Sequence, residues 1–196
     1  ILAPIMQKLL LPFLFLLLSL PLSAQEVVSV EEQPITTAFI LQLVLDVTVD
    51  YNVRNYKVTY TTTDAFGQPD TASGLLCVPA EETLVFPMAI YNYGTAASRD
   101  AVPSVEGVQE RFLPQTLAAF GYITCAPDYI GMGESRGFHP YVHAATEASA
   151  GRDMHIAVKK WLETQGIRQN DQLFLTGYSQ GGHATAALHR DISTNP

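Results

Sequence analysis

The chain has 196 residues, of which 47% are hydrophobic and 15% charged, a balance that suits one globular domain and excludes an intrinsically disordered chain. Its formal charge of −8, with no run of Lys or Arg to offset it, excludes a nucleic-acid partner held through phosphates, and a small or neutral ligand fits better.

Residues 1–24 read as an export address rather than as structure. Gln7-Lys8 is a short positive start, Leu9 to Leu20 is apolar apart from Pro12 and Ser19, and Pro21-Leu22-Ser23-Ala24 ends in small residues before the polar Gln25-Glu26. The apolar core is about a dozen residues, short of the ~20 that a spanning helix needs. The pattern is that of a secretory signal peptide cut after Ala24, with Met6 as the initiator. Residues 25–196 are then expected to be secreted or periplasmic, with no stable membrane span once the signal is removed.

Ile35 to Val49 is apolar but mixes helical spacing (Ile40, Leu43, Val44, Val47) with β-branched alternation, which leaves its type open. Tyr56 to Thr63 is rich in strand formers, Asp64 to Asp70 is full of turn residues, and Ala72 to Val78 resumes the strand, so an antiparallel hairpin is expected. Beyond it, strand and helix alternate. Leu84 to Asn92 reads as a buried strand, Pro114 to Phe120 as a short helix begun by proline and closed by Gly121, and Tyr122 to Ala126 as the next strand. Ala150, Met154, Ala157, Val158 and Trp161 mark one face of a longer helix that stops at Gly166, and Leu173 to Thr176 is a third buried strand. Such alternation implies an α/β domain with a mostly parallel sheet covered by helices on both faces, and ligands bound beyond the carboxyl ends of its strands.

Cys77 and Cys125, the two cysteines, both stand in apolar, strand-like runs where cysteine commonly serves as a small buried hydrophobe. Export permits a disulfide, but pairing depends on a close Cβ geometry that spacing does not reveal, so it stays open.

The stretch with the strongest chemical content is Gly177-Tyr178-Ser179-Gln180-Gly181-Gly182, directly after the third strand and before the small-residue helix carrying Ala184, Ala187 and Leu188. A turn tight enough to lift one side chain above the sheet strains its apex and crowds its flanks, which Gly177 and Gly181 would tolerate. Ser179 at the apex would sit at a helix N-terminus, where free amides favour developing negative charge. In that context the pattern is a strong signal for a nucleophilic serine.

With these motifs in order, the chain resembles the N-terminal portion of the α/β-hydrolase superfamily, in particular its exported lipase-like and esterase-like members. The resemblance runs from about Tyr56 to Leu188 and rests on the hairpin with Ala72-Ser73-Gly74, the strand into Tyr91-Asn92-Tyr93-Gly94-Thr95, the segment Pro127-Asp128-Tyr129-Ile130-Gly131-Met132-Gly133-Glu134-Ser135, and the serine turn. It implies Ser179 as nucleophile and an oxyanion hole made by the backbone N–H groups of Gln180 and of Thr95, or less favourably Gly94. Tyr93 stands where the family often has His, which bears on the shape of the hole rather than on its backbone donors. The resemblance implies a small-molecule or lipid ester as substrate and no cofactor.

Family order places the triad acid and His after the nucleophile. Asp128 precedes Ser179 and reads better as a turn carboxylate. His139 and His143 flank Pro140 without a carboxylate partner, so no metal site is expected there. His183 lies one turn along the helix from Ser179 and should project from its flank, and His189 is further on. The acid and His are therefore expected outside these residues, the chain being the first part of a longer reading frame that is inactive without them. The competing reading is a catalytically inactive binding or interaction protein on the same fold, and peptidase or acyltransferase chemistry also stays open. Oligomeric state is not legible.

Overall fold

The computed structural model describes residues 25–194; the export signal and Met6 lie outside the described residues. Six strands, β1 (Val27–Thr36), β2 (Val53–Thr63), β3 (Pro69–Pro79), β4 (Phe86–Asn92), β5 (Ile123–Pro127) and β6 (Gln169–Gly177), form one sheet in the order β1-β2-β3-β5-β4-β6. The pairs β1/β2, β2/β3 and β3/β5 are antiparallel, and β4 pairs parallel with both β5 and β6. The sheet is therefore mixed, which corrects the expectation of a mostly parallel one for the described residues. Of the antiparallel pairs, β2/β3 is a tight-turn hairpin, β1/β2 is joined through the segment 37–52, and β3/β5 brings together strands that are not consecutive, while each parallel pair needs a crossover connection.

The hairpin turn between β2 and β3 follows from its residues. Asp64 Oδ1 accepts from the Phe66 and Gln68 amides, both at 2.9 Å, and Gly67 supplies a φ of +74°. β1 was not recognisable as a strand in advance. Its sequence VVSVEEQPIT lies at the sheet edge with most side chains in water, and its glutamates interrupt the apolar alternation.

Among the described residues four helices accompany the sheet: α1 (Ala38–Leu45), α2 (Phe112–Ala119), α3 (Ala144–Thr164) and α4 (Gln180–Thr194). The ambiguous 35–49 stretch divides between the end of β1 and α1. Thr37 caps the helix by accepting from the Ile40 amide, and Asp46 ends it with a left-handed φ of +54°. α2 begins at Phe112, after a 3₁₀ turn at Gln109–Arg111, so Pro114 is its third residue rather than its first. A proline in the first turn breaks no helical hydrogen bond, which is why both placements suit the sequence.

Alternation along the strands sorts side chains onto two faces. Tyr56, Val58, Tyr60, Leu76, Met88, Ile90 and Cys125 pack with Ala150, Met154, Ala157 and Val158 of α3 and Leu188 of α4. Leu75, Cys77, Tyr91, Tyr93 and Ala126 pack on the other side with Leu41 of α1 and Ala118 and Ala119 of α2. Cys77 and Cys125, on opposite faces, are both buried free thiols, and no disulfide joins them.

Candidate active site

The parallel strands β4 and β6 end side by side, Asn92 opposite Gly177, and the chain turns from β6 into α4 within two residues. Ser179 stands at the apex, exposed, with a left-handed φ of +53°. That conformation costs a non-glycine residue roughly 1–2 kcal/mol and persists only where the surroundings impose it. Here two close backbone contacts impose it. A Cβ on Gly177 would strike the Gly181 carbonyl and come within 2.7 Å of the Asn92 oxygen. One on Gly181 would collide with the Asn92 carbonyl and come within 2.7 Å of the Tyr93 oxygen. Both glycines thus let α4 seat against the end of β4, with the first amides of α4 beneath the serine.

The residues before and after Ser179 are anchored on opposite sides. The Tyr178 ring lies against Gly94, where a Cβ would come within 2.8 Å of it, and its hydroxyl donates to Glu110 Oε1 at 2.7 Å. The Tyr91 hydroxyl donates to the other oxygen of Glu110 at 3.0 Å. The Glu110 hydrogen bond, followed by burial, raises the Tyr178 pKa above its ordinary value, and the Gly94 amide opposes the rise. Gly94 is buried under the Tyr178 ring whereas Thr95 is exposed, so the Thr95 amide is the better candidate to face a substrate. The Thr95 hydroxyl shares a 3.0 Å hydrogen bond with the Tyr141 hydroxyl.

Gln180 is buried. Its side-chain Nε2 donates to Glu147 Oε1 on α3 at 2.8 Å and meets His139 Nε2 at 2.8 Å. His139 stacks on Tyr129 with ring centroids 5.6 Å apart, and Tyr129 stacks on Tyr93 at 4.5 Å. The Tyr129 hydroxyl donates to the Tyr93 carbonyl at 2.7 Å. His183 Nδ1 meets Glu147 Oε2 at 2.5 Å, so this imidazole is held by α3. His143 Nδ1 meets the Thr146 hydroxyl at the start of α3, and no group of three or more His, Cys, Asp or Glu side chains that could hold a metal occurs among the described residues.

Asp128 is fully buried at the end of β5. It accepts from the Ser73 hydroxyl at 2.6 Å and from the Ser104 hydroxyl at 2.5 Å, so both segments are fastened to it. Burial raises its pKa while the two serines lower it, with a net rise. A Cβ on Gly133 would strike the Ser73 hydroxyl and the Asp128 carboxylate, and one on Gly131 would strike the Phe138 and His139 backbone, which explains the two glycines of this turn. The Asp128 carboxylate is thereby occupied as a structural tie.

Glu147 and Glu110 were not singled out from the sequence. Glu147 carried a signal: it lies in phase with Ala150, Met154 and Val158, so a carboxylate stands within the apolar stripe of α3. Glu110 lies in a short 3₁₀ turn and carried none. A separate cavity of about 290 Å³, lined by Arg54, Tyr56, Trp161 and Arg168, lies at the amino ends of β4 and β6, the opposite end of the parallel strands from Ser179.

No family profile matches the chain, and no curated protein matches it. Solved structures do. A candidate hydrolase from Legionella pneumophila superposes with a TM-score of 0.82 at 29% identity over 86% of this chain and 48% of its own. The rice cell wall degrading esterase LipA from Xanthomonas oryzae superposes with a TM-score of 0.79 at 30% identity over 88% of this chain and 46% of its own. Candida antarctica lipase A, at 17% identity and a TM-score of 0.55, shares the fold. The chain thus spans about half the length of the first two. Among the described residues no helix is long and apolar enough to cross a membrane.

Proposed function

From an α/β-hydrolase-like chain, related over the part it spans to hydrolases and esterases, we infer a serine hydrolase that cleaves carboxylic esters and works outside the cytoplasm. The observation that carries this reading is Ser179, exposed and left-handed, on a strand-to-helix turn whose flanking glycines have no room for a side chain. Its hydroxyl oxygen attacks the ester carbonyl, a general base takes its proton and returns it to the leaving alcohol, and water then releases the acyl group. The amides of Gln180 and Thr95 receive the oxyanion, each such donor being worth about 3–4 kcal/mol of barrier. The helix N-terminus of α4 adds to the same field.

We place the base and its acid partner in sequence beyond these 196 residues. Two facts support this: the chain spans under half of each related structure, and among the described residues no hydrogen bond joins the Ser179 hydroxyl to an imidazole, His139 Nε2 facing Gln180 instead. Without that base the serine hydroxyl is a weak nucleophile near neutral pH, so the 196-residue chain alone is expected to be inactive. The ester is a small-molecule or lipid ester.

The test uses the full-length protein and a fluorophosphonate, which a base-activated serine attacks as it attacks an ester. The labelled protein should begin near Gln25, lie outside the cytoplasm and carry its label on Ser179. Ser179→Ala should abolish labelling and the hydrolysis of acyl esters while leaving the fold intact. Folded full-length protein that neither labels nor cleaves esters across a range of acyl lengths would establish the binding-protein alternative instead.

A further inference from the structure

The Gln180 side chain sits in a closed set of hydrogen bonds whose polarity follows from its partners. Glu147 is 1% exposed, and its Oε1 accepts from the Gln180 NH₂ group at 2.8 Å. His139 Nδ1 lies 2.9 Å from the Ile130 carbonyl, which also only accepts, so Nδ1 carries the proton. His139 Nε2 is then the acceptor for the second Gln180 N–H at 2.8 Å. The other Glu147 oxygen accepts from His183 Nδ1–H at 2.5 Å. Both amide protons of Gln180 are used, and the two carboxylate oxygens hold α4 at its first and fourth residues, Gln180 and His183.

This arrangement concerns the residue whose backbone N–H faces the oxyanion. The Gly177 and Gly181 contacts fix the turn as a whole, and within it the hydrogen-bonded Gln180 side chain fixes the rotation of this one residue. We propose that Glu147 is a positioning residue of the hydrolase: through the Gln180 side chain it sets the direction of the Gln180 backbone amide. The inference rests on the reading of Ser179 as nucleophile. His139 joins the arrangement to the other oxyanion loop through its stack on Tyr129, which in turn stacks on Tyr93 and donates to its carbonyl, two residues before Thr95. The two amides are thereby referenced to one buried scaffold. An error of about 1 Å in such a donor costs rate rather than substrate affinity, because the oxyanion exists only after attack.

The experiment measures kcat, KM and the rate of fluorophosphonate labelling at Ser179 in the full-length protein. Glu147→Ala should lower kcat and the labelling rate about tenfold or more, with KM within about twofold. Glu147→Gln should restore kcat to within about threefold of wild type, since its amide oxygen still accepts from Gln180. Gln180→Met, which keeps the backbone amide and the side-chain length but removes the hydrogen bonds, should match Glu147→Ala, and the double variant should be no slower than either. If Glu147→Ala fails to fold, Gln180→Met decides the matter, because it leaves Glu147 in place. An unchanged kcat, a rise in KM alone, or effects that multiply in the double variant overturn the proposal while leaving the serine assignment standing. Wild-type protein that does not label at Ser179 overturns both.

Discussion

Gly181 and Gly182 are adjacent in the first turn of α4, and substituting each by alanine in the full-length protein should have opposite effects. At Gly181 the new Cβ would meet the Asn92 carbonyl carbon at 2.5 Å and the Tyr93 oxygen at 2.7 Å, in addition to the Asn92 oxygen, which is closer still. All of these are backbone atoms of β4 or the residue after it, and β4 is fixed by pairing with β5 on one side and β6 on the other, so none can yield as a side chain would. Overpacking of this kind costs about 1–3 kcal/mol, and here the upper end or more applies. At Gly182 the nearest atom is the Gly177 oxygen at 4.0 Å, ordinary contact. Alanine there gains helix propensity of up to about 1 kcal/mol. The two variants should therefore differ by about 3 kcal/mol, readable as urea midpoints on either side of wild type with unchanged slope. Gly181→Ala should also lose labelling at Ser179, because Gln180 would be displaced with it. If the two variants fell within about 0.5 kcal/mol of each other, the range of neutral surface changes, the account of the turn as a backbone-packed elbow would be wrong.

The Asp70 carboxyl is pushed up by burial, but the Ser135 hydroxyl, the Arg136 guanidinium and the Thr71 and Arg136 amides more than offset this, so it lies below the ordinary 3.8 in the folded protein. A depressed folded value contributes stability above the unfolded pKa and loses it as pH falls through the folded one. The stability gap between wild type and Asp70→Asn should accordingly be constant above about pH 5 and shrink in more acid solution; urea midpoints that keep the same gap from pH 6 to pH 2 would refute this. Burial pushes both thiols up, Cys125 to about 12, so a water-soluble disulfide reagent should react with neither cysteine in the folded protein and with both in urea. Rapid reaction of either thiol under native conditions would mean that its strand is open.

What the sequence made legible follows from the range of the interactions concerned. The hairpin could be read because its turn is built by Asp64 and Gly67 within five residues, and α3 because Ala150, Met154, Ala157 and Val158 repeat at helical spacing on a long element. The short α1 could not, since its β-branched residues suit either structure and the outcome turned on the Thr37 cap and the burial of Leu41. The antiparallel hairpin was legible, but the edge strand β1, with glutamates breaking its alternation, and the antiparallel pairing of β3 with the non-consecutive β5 left no local pattern, so the sheet is less parallel than expected. At the site, the Gly177 and Gly181 contacts are local enough to be inferred from a serine between glycines. The Glu147–Gln180 bond spans 33 residues and joins two helices, and the Tyr178–Glu110 bond spans 68, so neither leaves a spacing to read.

The left-handed backbone at Ser179 restricts which nucleophile the turn can carry. Threonine has the same hydroxyl chemistry, but its second Cβ substituent makes a φ of +53° a genuine outlier, and the turn cannot relax while α4 rests on the Asn92 carbonyl. Cysteine has a single Cβ substituent and meets no such barrier. The exchange open to this position over mutational time is thus between oxygen and sulfur on an unbranched side chain. The backbone makes that choice before any difference in reactivity is tested.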